Sequence, residues 1–170
     1  MIRSILLAIT LVFNITLHAE MLTAVELKGD DGGRLDGKSW SSSEIKEKVY
    51  VLFYVDPDEK ELNEHVGQAL KKEKFPLTKY SSIAVINMAA TWLPNFALES
   101  ALEKKQKMYP DTLYVKDFKK VLVEKWSMKD DSSNVLLFNK KGELIYRIAG
   151  KAKDEQVKQL IKLVRTNLDS

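Results

Sequence analysis

The chain has 170 residues, of which 45% are hydrophobic and 9% aromatic, enough to bury one sizeable core in a single domain. Its formal charge is +3, with lysine and arginine interspersed among aspartate and glutamate; this is a solvated surface, not the concentrated basic stripe of a nucleic-acid binder. It contains no cysteine, which excludes disulfides, thiolate nucleophiles and thiolate metal ligands together.

The chain opens on a leader. Met1-Ile2-Arg3 is a short positive segment, Ile5–Phe13 is uncharged and apolar, and Leu17-His18-Ala19 is a loose small-x-small cleavage site. A signal peptide over 1–19, cleaved after Ala19, predicts a periplasmic or secreted protein with no membrane attachment after cleavage. An uncleaved N-terminal anchor is the alternative, although the apolar run is short for a spanning helix. The remainder, 20–170, reads as one domain.

Leu22–Leu27 is patterned as a short strand and Asp30-Asp31-Gly32-Gly33 as a turn. Ser41-Ser42-Ser43-Glu44 is a capping box that starts a short helical turn. Val49–Val55 is apolar and aromatic without polar alternation, as expected of a central strand covered on both faces. Asp56-Pro57-Asp58-Glu59 then predicts a helix start directly after the strand, with Asp56 as cap, Pro57 at the first helical position and Glu59 closing a capping box. Leu62, Val66, Ala69 and Leu70 form that helix's apolar face.

Ser82–Met88 is a second buried strand, so the unit is βαβ with parallel strands. After a loop over Ala89–Pro94, a helix is predicted over Asn95–Met108, with Leu98, Ala101, Leu102 and Met108 facing inward; it stops before Tyr109-Pro110. Leu113–Val115 is a short strand, and Phe118–Trp126 is helical or irregular. Asn134–Phe138 is a third buried strand, Asn139–Gly142 a turn, and Glu143–Ile148 an antiparallel return. Lys153–Leu168 is a terminal helix with Val157, Leu160, Ile161, Val164 and Leu168 on one face.

LDGKSWSSSEIKEKVYVLFYV, beginning at Leu35, and SSNVLLFNKKGELIYRIAGKAKDEQVKQLIKLV, beginning at Ser132, resemble the opening and closing segments of periplasmic thioredoxin-like proteins related to TlpA and the peroxiredoxins. Within that superfamily, LESALEKKQKMYPDTLYVKD together with KWSMKDDSSNVLLFNKKGEL resembles the YtfJ family of exported bacterial proteins. The resemblance covers most of the chain from Leu35 onward. It implies an α/β thioredoxin-like fold, a central mixed β-sheet flanked by helices on both faces. Redox-active members carry Cys-x-x-Cys after the central strand; here Asp58 and Glu61 occupy the matching register. Where those members have a cis-proline before the third strand, this chain has Ser132-Ser133-Asn134, with Ser133 the nearest match. Without cysteine, thiol–disulfide exchange and cysteine peroxidase chemistry are excluded.

A redox-inactive domain that binds a periplasmic protein or peptide is therefore expected, through a face comprising Asp56, Asp58, Glu59, Trp92, Phe96, Ser132, Ser133 and Asn134. The alternative is a non-redox enzyme, a hydrolase or isomerase using Asp58 and His65, which lie within about two helical turns of each other. Simpler roles account for the same residues. The carboxylates suit helix capping, a lone histidine suits a helix flank, and Ser132 and Ser133 lack a G-x-S-x-G elbow and suit backbone satisfaction. Trp92 and Phe96 fit either a contact surface or the core. Neither a cofactor nor a metal is expected, since a zinc site would rest on His65 and carboxylates alone.

Overall fold

The computed structural model describes residues 19–169; apart from Ala19, the expected leader Met1–Ala19 lies outside the described residues. Two short strands open the domain. β1 (Glu26–Leu27) pairs antiparallel with β3 (Trp40–Ser41), and between them runs β2 (Gly32–Arg34). The predicted turn at Asp30–Gly33 is thus only half a turn, since Gly32 and Gly33 belong to an edge strand antiparallel to β6 (Thr112–Asp117). The glycines serve a close approach: a Cβ at Gly32, whose φ is 131°, would stand 2.0 Å from the Lys116 carbonyl oxygen. The Ser41 capping box is present, with the Ser41 N–H donating to Glu44 at 3.0 Å, but it caps a single 3-10 turn over Ser42–Glu44.

β4 (Val49–Val55) is the central strand. It runs parallel to β5 (Tyr80–Asn87) and antiparallel to β7 (Ser133–Phe138). β5 is parallel to β6, and β7 pairs antiparallel with β8 (Leu144–Ala149), so the mixed sheet has the order β2-β6-β5-β4-β7-β8. It is covered by α1 (Glu64–Glu73), α2 (Asn95–Met108), α3 (Val121–Trp126) and α4 (Asp154–Asp169). Among the described residues no helix is long and apolar enough to cross a membrane.

The pleat explains the unbroken apolar run of β4. Val49 and Val51 point to one face, where Val66 and Leu70 of α1 meet Leu160, Val164 and Leu168 of α4. Leu52 and Tyr54 point to the other, against Trp40, Leu122, Trp126 and Phe138. α2 lies on the α1 side, with Leu98 and Leu102 packed on Ala84, Ile86 and Tyr114. Its predicted inward residues Ala101 and Met108 are exposed, because the helix rests on the sheet through a narrow stripe. Ile161 of α4 is only partly buried.

α3 is positioned by Asp117, a fully buried residue at the end of β6. Its carboxylate accepts from the N–H groups of Val121 (2.9 Å) and Leu122 (3.0 Å) at the helix start and from the Tyr54 hydroxyl (3.1 Å). The helix N-terminus and one phenol thereby satisfy a carboxylate that burial would otherwise penalise. Burial pushes the Tyr54 hydroxyl pKa up, and the Asp117 charge adds to the shift, so this phenol stays protonated.

Leu160→Ala removes a fully buried side chain between α4 and the sheet. It is expected to lower the free energy of unfolding by about 2–5 kcal/mol in chemical denaturation. Met108→Ala, on the exposed side of α2, is expected to stay within about 0.5 kcal/mol of the parent chain.

Candidate functional site

Residues 56–63, 88–94 and 129–134 and the segment after β8 meet at one end of the sheet, because β4 and β5 finish where the antiparallel β7 begins. The Asp56 N–H donates to the Ser132 carbonyl at 3.0 Å, and its carboxylate accepts from the Asp58 N–H at 2.8 Å. That cap serves a 3-10 turn over Pro57–Glu59, and Glu59 does not complete a capping box. The strand therefore does not run directly into the helix as expected; α1 begins at Glu64, after Asn63.

Asn63 explains the delay. It stands at the helix N-cap position, yet its side chain turns inward and makes no capping bond. Its Nδ2 donates to the Gly150 carbonyl at 2.9 Å and the Ser133 hydroxyl at 3.1 Å, and its Oδ1 accepts from the Ala152 N–H at 2.8 Å. One buried amide thus joins the start of α1, the start of β7 and the chain leaving β8. The sequence reading missed it, because Asp56-Pro57 is the stronger cap signal and an asparagine there reads as a spare turn residue. Asn134 does a similar task, accepting from the Lys129 N–H at 3.1 Å and donating to the Lys129 carbonyl at 2.8 Å. Asn87 donates to Asp130 at 3.2 Å, while its Oδ1 has no partner among the described residues. Asp130 in turn binds Lys120 at 2.7 Å, which holds its carboxyl below the ordinary range.

The eight residues of the expected binding face divide in two. Asp56, Ser132, Ser133 and Asn134 are buried and committed to holding the chain ends together. A partner does not touch them without displacing those bonds, because buried polar groups at loop ends are needed by the backbone around them. Ser133 lies in a described chain that has no cis peptide. The others are exposed. Trp92 is 86% accessible and Phe96 75%, which settles their position outside the core, and Leu93 is exposed beside them. Asp58 lies next to this patch, the Thr91 hydroxyl donating to it at 3.1 Å, and Glu59 follows it in the chain, also exposed.

Asp58 also opens onto a broad groove of about 910 Å³ lined by Glu59, Glu61, Glu64, His65 and Asp154, with Lys60 and Lys151. Five carboxylates against two lysines make it acidic on a chain of formal charge +3. Asp58 and His65 line the same groove, but their hydrogen bonds lead apart, to Thr91 and to the Ala152 carbonyl, which His65 Nε2 approaches at 3.1 Å. The carbonyl only accepts, so that ring nitrogen carries the proton. Among the described residues no three histidine, aspartate or glutamate side chains are grouped to hold a metal.

The YtfJ_HI0045 family, described as a bacterial protein of unknown function, matches residues 21–167 of this chain. "Uncharacterized protein YtfJ" of Escherichia coli K12 is 27% identical over 139 residues, covering 79% of this chain and 75% of that protein. Among solved structures, the thioredoxin-like superfamily protein SPOA0173 superposes with a TM-score of 0.65 at 16% identity, over 88% of this chain and 97% of the other. The pneumococcal exposed lipoprotein thioredoxin Etrx1 of Streptococcus pneumoniae TIGR4 gives a TM-score of 0.58 at 17% identity, over 83% of this chain and 99% of the other. The fold is thioredoxin-like, as the resemblance implied.

Two variants probe this end of the sheet. Asn63→Ala leaves the Ala152 N–H and the Gly150 carbonyl without their partner, and is expected to cost roughly 2–5 kcal/mol in urea unfolding. Burial pushes the Asp56 carboxyl above its ordinary range, against the pull of the Asp58 N–H. The folded chain therefore takes up this proton at higher pH than the unfolded chain, and the cost of the buried charge is felt in full only above the folded pKa. Stability from this group rises as the pH falls. Asp56→Asn keeps an acceptor oxygen and removes the charge. It is expected to stabilise the protein at neutral pH, with the difference from wild type shrinking towards pH of about 4 in parallel thermal melts.

Proposed function

This chain belongs to the YtfJ_HI0045 family, and we propose that it is an exported, redox-inactive thioredoxin-like domain that works as a protein- or peptide-binding module. The observation that carries this reading is the exposure of Trp92 and Phe96, 86% and 75% accessible, on the loop and helix start beside the end of the sheet where related folds place their chemistry. Large aromatics in water at that position cost solvation and are not needed to hold the sheet. In a binding module they are the groups that become buried on contact. The absence of cysteine removes the redox chemistry of the fold and leaves its surface. The buried lattice of Asn63, Ser133 and Asn134 supports the same reading, since it presents the patch on a fixed base and spares adaptation on contact. Export is part of the proposal, resting on the leader at Met1–Ala19.

The test is site-specific photo-crosslinking in living cells, with probes replacing Trp92, Phe96 and Asp58 and a control probe at Lys158 on α4. One discrete partner captured from the three sites and absent from the control is expected. Equal adducts from all four positions, or none, would remove the binding face. A fractionation of the same cells checks export, and finding the chain in the cytoplasm with the leader retained overturns that part. His65→Ala is expected to preserve the function of the native gene in a deletion strain. Loss of function with crosslinking intact would point to chemistry at the groove instead.

A further inference from the structure

The aromatic patch is continuous with the acidic groove. Thr91, the residue before Trp92, is hydrogen-bonded to Asp58 at 3.1 Å, and Asp58 is itself part of the groove wall. Apolar and anionic surfaces thus share one border, formed by side chains from the loops after β4 and β5. Two kinds of partner cover exposed aromatics: a lipid surface and an apolar segment of another protein. Anionic headgroups attract basic segments, and the groove's five carboxylates present the opposite sign beside the patch. The same carboxylates attract lysine and arginine, and a guanidinium also stacks on an indole face.

Building on the binding role above, we propose that the occupant is a segment of a partner protein that combines apolar side chains with lysine or arginine. Its apolar residues cover Trp92, Leu93 and Phe96, and its cations lie along Asp58, Glu59 and Glu61. Apolar contact holds the segment, while the charges select it and speed its arrival.

Trp92 is itself the reporter, since Trp40 and Trp126 are buried. Purified protein lacking the leader is titrated with two synthetic peptides of equal length and apolar content, one carrying lysines and the other glutamates at the same positions. The lysine peptide is expected to shift Trp92 emission to the blue and to bind at least about tenfold more tightly than the glutamate peptide, with affinity falling as salt rises. Glu59→Lys with Glu61→Lys is expected to abolish or invert that preference, and Lys158→Glu, on α4 and outside the groove, to leave it unchanged. Thermal melts confirm that each variant is folded. Equal binding of both peptides with the same blue shift overturns the cationic partner and leaves the binding face standing. A response to neither peptide also overturns it, and in-cell crosslinking at Trp92 then decides the binding role separately. A blue shift with phosphatidylglycerol vesicles alone overturns it in favour of a lipid surface.

Discussion

The buried amide of Asn63 ties together the chain segments that meet at one end of the sheet. Asn63 bonds to partners 70, 87 and 89 residues away in the chain, linking the start of a helix to the start of one strand and the exit of another. Two of these partners, the Gly150 carbonyl and the Ala152 N–H, are backbone groups just past the end of β8, and Asn63 supplies them with a partner there. An asparagine suits the place because it offers a donor and an acceptor on one short, neutral side chain. A carboxylate would face the Gly150 carbonyl with like polarity. The geometry of the surrounding loops, and hence the placement of the surface they carry, depends on this junction.

Around it the polar residues sort by task. Asp117 is fully buried and serves the first turn of α3 and the Tyr54 hydroxyl, so its charge is spent inside the fold. Asp130 is tied to Lys120 and Asn87. Asp58 and Glu59 have no comparable burden and remain in water, as do the groove carboxylates farther along. This cysteine-free domain thus carries two kinds of acidic residue at one end of its sheet: buried ones that shape it and exposed ones that colour its surface.

Much of the fold was legible from pattern. The seven-residue run Val49–Val55, the βαβ spacing, the helix over Asn95–Met108 and the closing hairpin and helix all follow from periodicity and turn residues. The edge strand at Gly32–Arg34 was not, because a glycine pair signals a turn locally while its use here is a close approach to Lys116. The candidate face was half legible. Local chemistry pointed to loops that the fold gathers at one end of the sheet, but could not separate Asp58 and Trp92, which face water, from Ser133 and Asn134, which do not.

The amino-acid sequence by itself determined that no cysteine chemistry operates, that an α/β fold forms, and that its central strand is covered on both sides. These follow from composition and from periodicities of a few residues, which any segment carries alone. The tertiary structure alone decided that Asn63 is the junction, that Trp92 and Phe96 stand in solvent, and that the aromatic patch borders an acidic groove. Burial and long-range hydrogen bonding are properties of pairs of distant segments. They come into being only when β4, β7 and β8 lie side by side and bring their ends together.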